Sequence, residues 1–493
     1  MTAPGAVFAQ DAQGAPDFTG RRVTVAGLGV TGGPVARALH RLGAHVTVVN
    51  GGDDERARAQ AAELAPLGTT VRLGDGDTLP EGTELLVTTP GWKPTSPIFA
   101  AAAAAGVPVW GDVELAWRLR GPDAAPWLAV TGTNGKTTTV RMLAAILTAA
   151  GLRTAAVGNI GVPLIDVVMG EEKYDVLAVE LSSYQLHWAP SLRVHSGAVL
   201  NLAPDHLDWH GSMDAYAADK GRVYEGNEVA CVYNAADPAT EDLVRAADVQ
   251  EGCRAVGFTP AVPGPSQLGV VDGLLIDRAF VANRQKNAQE LAEVCDISAS
   301  SRPPGANVPP PAPHLVANAL AAASLARSYG VEPAAVRQGL RDFCPDPHRI
   351  AYVGEVDGVT YVDDSKATNT HAAAASLAAY PHLVWIAGGL AKGATFDEVV
   401  EAAAPRLRGV VLIGADRALI ADSLARLAPH VPVVDLDRTD PGAMAQAVRA
   451  AAELARPGDT VLLAPACASM DMFTNYNVRG DAFAQAVRAL PDA

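Results

Sequence analysis

Trp127-Leu-Ala-Val-Thr131-Gly132-Thr133-Asn134-Gly135-Lys136-Thr137-Thr138-Thr139 is the stretch on which the reading of this chain turns. An apolar run enters a glycine-rich turn, then a helix that carries Val140, Leu143, Ala144 and Leu147 on one face and stops near Gly151. Backbone N–H groups of such a turn, together with the positive end of the helix, cradle phosphate oxygens. Lys136 is placed to reach the β- and γ-phosphates, and the Thr137 hydroxyl to ligate Mg²⁺. Val130 stands where the commoner G-x-x-x-x-G-K-T loop has its first glycine, so an ordinary strand-to-helix turn with a chance GKT is the competing reading. Strand, loop and helix fall in the required order, and an ATP site is expected.

On either side the same grammar repeats. Val23 to Ala26, Val46 to Val49, Leu85 to Thr88, Val176 to Glu180 and Ala198 to Leu200 are short, apolar and bounded by turn residues. Val359 to Val362, Leu383 to Ala387, Val410 to Ile413 and Thr460 to Ala464 continue the series. Strands of this kind, alternating with Ala/Leu-rich helical stretches, make parallel α/β sheets buried on both faces. Polar, Gly/Pro-bearing breaks at Leu119 to Pro126 and Asp342 to Arg349 divide the chain into 1–118, 119–346 and 347–493. Residues 1–20 read as a loose tail. Residues 259–313 read as a Pro-rich, insertion-like loop, within which Val270-Val-Asp-Gly-Leu-Leu275 is a hairpin with a type I′ turn.

The bulk properties set limits. The chain has 493 residues, of which 49% are hydrophobic and 19% charged, enough to bury sizeable cores. A net charge of -16, from 54 acidic and 38 basic residues, disfavours nucleic acid and anionic membrane as partners. Five scattered cysteines without a CxxC pair read as reduced thiols. No signal peptide or membrane span is expected, so a cytoplasmic protein without membrane insertion is the reading.

A second glycine loop, Gly27-Leu-Gly29-Val30-Thr31-Gly32, follows the first strand. Alone it suggests a dinucleotide-binding oxidoreductase. That fingerprint wants an acidic residue ending the second strand; here Asn50-Gly51-Gly52 stands there, with Asp53 late. A nucleotide diphosphate other than NAD(P) is the alternative.

Polar residues gather at other strand ends. Glu180, in Glu180-Leu-Ser-Ser-Tyr-Gln-Leu186, fits either a metal-holding carboxylate or a solvated edge. Asn201-Leu-Ala-Pro-Asp-His206-Leu-Asp-Trp-His210 fits either an acid–imidazole cluster or a polar capping turn, and Lys220 follows on a helix beginning near Met213. Asp363-Asp364-Ser-Lys366-Ala-Thr368-Asn369, Gly388-Gly-Leu-Ala-Lys392-Gly393 and Ala464-Pro-Ala-Cys-Ala-Ser469-Met470-Asp471 end three later strands. Ligands of open α/β sheets bind beyond the carboxyl ends of the strands, so these three loops are candidates for one cleft.

Taken together the motifs resemble the Mur ligase family from Gly27 to Arg479. TGTNGKTTT, GNIG at Gly158 to Gly161, NLAPDHLDWHGSMDAYAADK, His348-Arg349, DDSKATN and PACASMDMFTNYNVRG carry the resemblance. It implies three domains: an N-terminal Rossmann-like domain, a central P-loop ATPase-type parallel sheet and a C-terminal Rossmann-like domain. It also implies an ATP-dependent acid–amino-acid ligase of peptidoglycan precursor synthesis, working with Mg²⁺. ELSSYQL with the SKATN and CASMD loops points to the member that adds D-glutamate to UDP-N-acetylmuramoyl-L-alanine through an acyl phosphate. A sister ligase for another amino acid, a nucleotide-dependent oxidoreductase and a nucleotide-regulated binding module are the alternatives.

The residue roles below are what the resemblance implies. Val30, Thr31, Thr89, Pro90 and Gly91, assisted by Asn159, would hold the uridine diphosphate. Gly132, Thr133, Asn134, Gly135, Lys136, Thr137 and Thr138 would hold ATP with Asn318, Arg349 and Asp364. Thr137, Glu180, His206 and a carbamylated Lys220 would hold magnesium, and Lys136, Glu180, His206, Lys220 and Lys366 would be catalytic. Thr368, Lys392, Ser469, Met470 and Tyr476 would surround D-glutamate. A monomer is expected. Two departures stand out: Asn50-Gly51 replaces the Asp and Thr usual near the uracil, and Leu315 replaces the first Asn of an HNxxN whose last residue is Asn318.

Overall fold

The computed structural model describes residues 16–301 and 310–490. Three sheets follow one another along the chain, and helices alternate with strands through each. The first joins β1 (Arg22–Ala26), β2 (His45–Asn50), β3 (Thr70–Leu73), β4 (Leu85–Thr88) and β5 (Val109–Gly111) in the order β3-β2-β1-β4-β5, all parallel. The apolar runs of β1 and β4 are buried on both faces, which is why they read as unbroken hydrophobic stretches. The order reverses at β1, and the glycine loop Gly27–Gly32 leaves that switch point.

The second sheet has nine strands. β6 (Trp127–Thr131), β7 (Ala156–Gly158), β8 (Leu177–Glu180), β9 (Ser196–Val199), β10 (Ala230–Asn234) and β11 (Arg254–Phe258) are parallel. β12 (Gln267–Val271) adds in parallel to β11, and β13 (Leu274–Asp277) and β14 (Gln289–Glu293) extend the edge in antiparallel fashion. The order is β14-β13-β12-β11-β10-β9-β6-β8-β7, so β6 lies between β9 and β8. Those two neighbours carry the NLAPDH and ELSS loops on either side of the phosphate loop.

Two expectations are corrected here. Residues 259–313 are not one long loop: β12 to β14 run through them, with one-turn 3₁₀ helices at Val294–Asp296 and Ala299–Ser301. The expected hairpin is their centre, with Val271 opposite Leu274 and positive φ at Asp272 (50°) and Gly273 (78°), as a type I′ turn requires. Residues 302–309 of that stretch lie outside the described residues. The loose tail expected over 1–20 lies outside them up to residue 15, but its far end is tied down. Phe18 is buried, and its ring meets Trp110 edge-on at 6.4 Å.

The third sheet contains β15 (Ala351–Val356), β16 (Val359–Asp363), β17 (Leu383–Gly388), β18 (Leu407–Ile413), β19 (Val433–Asp435) and β20 (Thr460–Leu463). Its order is β15-β16-β20-β17-β18-β19, with only β15 antiparallel to its neighbour. Val384, Trp385, Ile386 and Ala387 of β17 are fully buried, and separate apolar clusters cover the two faces. The described chain gathers into two compact units: one holds residues up to 296 with 317–341, the other 297–316 with 342 onwards. The first two sheets thus share a unit, and the third has its own.

Candidate functional site

The phosphate loop is built from the fully buried β6 and the helix Lys136–Ala149. Gly132 (φ 147°) and Gly135 (φ 85°) take backbone conformations that favour glycine. A Cβ on Gly135 would stand 2.5 Å from Asn318 Oδ1, so the Asn318 side chain lies against this loop. Asn201, first residue after β9 and its following Leu200, locks the turn from the other side. Its Oδ1 accepts from Asn134 N at 2.9 Å, its Nδ2 donates to Asn134 O at 3.1 Å, and its carbonyl accepts from Thr133 N at 3.0 Å. Nothing in the sequence singled out Asn201 beyond its place at the head of the NLAPDH run.

Lys136 Nζ donates to the carbonyls of Gly132 (2.9 Å) and Thr133 (3.0 Å), so its ammonium is folded over the loop it belongs to. Lys220, buried on the helix Met213–Gly221, reaches the same place: its Nζ donates to Gly132 O at 2.9 Å and Thr131 Oγ1 at 3.4 Å. Burial, then the like charge of Lys136, pushes the Lys220 amine well below the usual lysine range; Asp205, Glu180 and Asp219 pull the other way. Burial of this kind favours the neutral, nucleophilic form of the amine.

Glu180 ends β8 and is buried. Its Oε1 accepts from Asn159 Nδ2 at 2.9 Å, while its buried Oε2 has no hydrogen-bond partner among the described residues. Asn159, expected to serve the uridine diphosphate, is therefore also a ligand of the Glu180 carboxylate. His206 sits in a left-handed backbone conformation (φ 53°) on a half-exposed loop, its ring 5.0 Å from that of Tyr184 and its Nε2 3.4 Å from Asp205 Oδ2. Among the described residues no three His, Cys, Asp or Glu side chains gather as a ready metal cluster.

Asp219 organises the helix that delivers Lys220. It accepts from His187 Nδ1 (2.8 Å) and His210 Nδ1 (3.0 Å) and pairs with Arg222 (3.2 Å), while His210 Nε2 meets Ser183 Oγ at 3.0 Å. His187 lies 32 positions away in sequence, and the sequence alone does not show that these groups meet on Asp219. Burial lowers the His210 pKa, against the pull of Asp219.

The first sheet's glycine loop is apolar and close-packed. A Cβ on Gly27 would lie 2.3 Å from Thr89 Oγ1 and 2.6 Å from Trp92 Nε1, which places the TTPGW turn against it. Asn50 closes it from the β2 side: its Oδ1 accepts from Leu28 N at 3.1 Å and its Nδ2 donates to Gly52 O at 2.8 Å. Asp53 pairs with Arg58 at 2.7 Å. Val30 is 69% exposed, Gly91 is exposed, Thr89 is buried and Thr31 and Pro90 are partly covered. Trp209 Nε1 donates to Trp92 O at 3.0 Å and Lys93 Nζ bonds Asp208 Oδ2 at 2.9 Å, joining the TTPGW turn to the NLAPDHLDWH run.

In the second unit β16, β20 and β17 are adjacent, so the DDSKATN, PACASMD and GGLAKG loops leave the sheet side by side. Gly389 shows how tightly: its Cβ would stand 2.2 Å from Ala468 O, and Leu390 and Ala468 exchange both backbone hydrogen bonds at 2.9 Å. Lys366 Nζ stands 4.0 Å over the Tyr476 ring. Lys392 (φ 51°) and Met470 are exposed, Ser469 is buried and Thr368 is partly covered. Arg349 pairs with Asp346 at 3.5 Å. Asp364 is buried, bonded by Ser376 and by Ile350 N, and burial raises its pKa to about 7.

Arg479, the last residue of the stretch that carries the resemblance, was given no role from the sequence. Its buried guanidinium donates to Ser365 Oγ (2.9 Å), Ser365 O (2.8 Å) and Cys467 O (3.1 Å), clamping two of the three loops together.

A phosphate loop flanked by a strand-end carboxylate and a buried amine defines a P-loop enzyme. Comparison with known proteins is consistent in every direction. The Mur ligase middle domain profile matches residues 130–326, and the Mur ligase glutamate ligase domain profile matches residues 348–467. The UDP-N-acetylmuramoylalanine–D-glutamate ligase of Streptomyces coelicolor is 78% identical over 96% of this chain and 99% of its own. The enzyme of that name from Thermobifida fusca is 60% identical over the same shares. In fold the chain is similar to MurF of Acinetobacter baumannii (TM-score 0.55, 16% identity, 89% and 90% of the two chains covered). The chain belongs to the Mur ligase family and is an ATP-dependent, amide-bond-forming ligase.

Proposed function

We infer that the protein joins the amine of D-glutamate to the alanyl carboxyl of UDP-N-acetylmuramoyl-L-alanine, at the expense of ATP, in peptidoglycan precursor synthesis. The observation that carries this reading is the 78% identity, across nearly the whole of both chains, to a relative bearing that name. A carboxylate is a poor acylating agent, so it is first phosphorylated by ATP; the amine then attacks the acyl phosphate and the tetrahedral adduct expels phosphate. Positioning and charge neutralisation are the protein's main tasks in such a transfer.

Gly132 to Thr138 cradle the ATP phosphates, with Lys136 swinging off its own carbonyls onto the β- and γ-oxygens. Asn318, Arg349, Asp364 and Lys366 would serve the rest of the nucleotide. The free, buried Oε2 of Glu180 is a carboxylate oxygen suited to a divalent cation. Glu180, His206 and Thr137 would hold Mg²⁺, which supplies charge neutralisation for the phosphoryl group. Lys220, once its neutral amine adds CO₂, would join them as a carbamate. Val30, Thr31, Thr89, Pro90, Gly91 and Asn159 take the uridine diphosphate, and Thr368, Lys392, Ser469, Met470 and Tyr476 take D-glutamate. His206 or a neighbouring carboxylate would orient the attacking amine or take its proton. A cytoplasmic monomer is the setting we favour.

Phosphate release from ATP and Mg²⁺ with UDP-N-acetylmuramoyl-L-alanine tests the reading directly. We expect release with D-glutamate and none with L-glutamate, L-alanine or diaminopimelate. Release with one of the others instead would overturn the substrate, and release with none would overturn the reaction. For Lys220→Ala we expect near-complete loss of turnover, partly restored by acetate or formate standing in for the carbamate; wild-type activity in that variant would remove Lys220 from the site.

A further inference from the structure

Cys231 and Cys253 lie 22 positions apart in sequence, yet their sulfurs stand 3.9 Å apart. Cys231 is buried in β10, where Asn227 Nδ2 donates to its sulfur at 3.5 Å. Cys253 is half-buried at the mouth of β11, straight after a turn through Gly252 (φ 91°). Cys253 precedes β11 and Cys231 is the second residue of β10, while the phosphate loop leaves the far end of β6. A disulfide needs about 2.05 Å between sulfurs. The contraction asked for is small, and the turn before Cys253 is the part able to yield.

The half-buried sulfur also has an approach. Cys253, Arg254, Ala255, Val256, Ser266, Ala279 and Arg284 line a surface cavity of about 260 Å³. Arg254 is fixed at its rim, with Nη1 donating to Ala279 O at 3.1 Å and its guanidinium 4.7 Å from the Phe280 ring. Arg284 is close enough to repel it, so two arginines stand at one small cavity that Cys253 also lines. Nothing in the ligase reaction uses this place.

We propose that Cys231 and Cys253 form a redox-active dithiol that exchanges with small anionic disulfides drawn in by Arg254 and Arg284. The Cys253 thiolate attacks one sulfur of the reagent RSSR, forming a mixed disulfide and releasing RS⁻. Cys231 then gives up its proton and attacks Cys253, forming the internal S–S bond and releasing the second RSH. Two protein thiols are oxidised, one reagent disulfide is reduced to two thiols, and no other reactant is needed. The order of attack follows from the surroundings. The hydrogen bond from Cys231, with the backbone and charge of Arg254, holds the Cys253 thiol below its usual value, while Cys231 is pushed up by that same bond and by burial.

The test uses the reduced full-length protein and two reagents of opposite charge, oxidised glutathione and cystamine, with disulfide mapping by mass spectrometry. We expect a Cys231–Cys253 linkage, about 2 Da lighter than the dithiol, and attack by oxidised glutathione about tenfold faster than by cystamine. Arg284→Glu reverses that preference, and Cys231→Ala stops the reaction at a mixed disulfide on Cys253. Both variants keep the ligase rate, because neither residue belongs to the nucleotide or amino-acid sites. Failure to find the Cys231–Cys253 linkage in the wild-type chain overturns the proposal whatever the variants do. Cystamine reacting as fast as oxidised glutathione in the wild type overturns the anion-selective entrance.

Discussion

Two glycine loops leave the parallel parts of two sheets in one compact unit, and they are built to different ends. Gly27 to Gly32 carries no cation; its Leu28 amide is already held by Asn50, and Thr89 and Trp92 close over it. Gly132 to Thr137 carries Lys136, lies beside the buried Lys220, and is braced by Asn201 and Asn318. Spacing alone specifies a turn in which backbone amides can meet a phosphate. We propose that the charged neighbours, here Lys136, Lys220 and Glu180, decide whether that phosphate is merely held or transferred.

The largest effect should come from removing that charge. Lys136→Ala is expected to lower kcat on the order of 10³-fold in the phosphate-release assay, the usual cost of one group that stabilises transferring charge. A fall of less than tenfold would erase the distinction between the loops.

A middling effect is expected beside the first loop. Asp112 is buried near Thr31 and Gln185, and burial raises its carboxyl pKa from 3.8 to about 6. The folded state therefore binds this proton more tightly than the unfolded chain. The relative stability is complete below about pH 4 and is lost as the pH rises through about 6, a change on the order of 3 kcal/mol. Asp112→Asn should flatten that dependence, so urea midpoints of wild type and variant diverge between acid and neutral pH in favour of the variant. Parallel profiles would show that Asp112 ionises normally.

The smallest concerns Asn50, whose loss frees one amide of the loop. Asn50→Ala should cost about 1 kcal/mol, read as a roughly fivefold higher KM for the uridine substrate with the KM for ATP unchanged. An equal rise in both would mean that Asn50 supports the unit as a whole.

Much of this was legible in the sequence because the central strands are buried on both faces and announce themselves as unbroken apolar runs. β6 and β4 were read to the residue. β9 begins two positions before the apolar run, at Ser196 and Gly197. Those small residues are buried there because the chain packs against Val223 O, 2.5 Å from where a Gly197 Cβ would be. β12 to β14 were missed outside the hairpin, since the edge strand β14 and the short strands beside it mix polar and apolar residues and lie among prolines. At the site, the residues proposed to meet substrate sit in recognisable runs. Asp219 and Arg479 sit in such runs too, but their roles were not legible there: Asp219 gathers His187 and His210, Arg479 joins two loops, and only the fold shows those partners.

The division of labour between the two loops is tested most directly by binding. Glycine to alanine in either loop forces a Cβ into an occupied place, against Thr89 and Trp92 at Gly27 and against Asn318 at Gly135. Calorimetric titration of a non-hydrolysable ATP analogue and of UDP-N-acetylmuramoyl-L-alanine should be run separately on Gly27→Ala and Gly135→Ala. We expect a crossed result, with Gly27→Ala losing the uridine ligand and keeping the ATP analogue, and Gly135→Ala doing the reverse. Loss of both ligands in each correctly folded variant, or the opposite crossing, would contradict the assignment of the two loops.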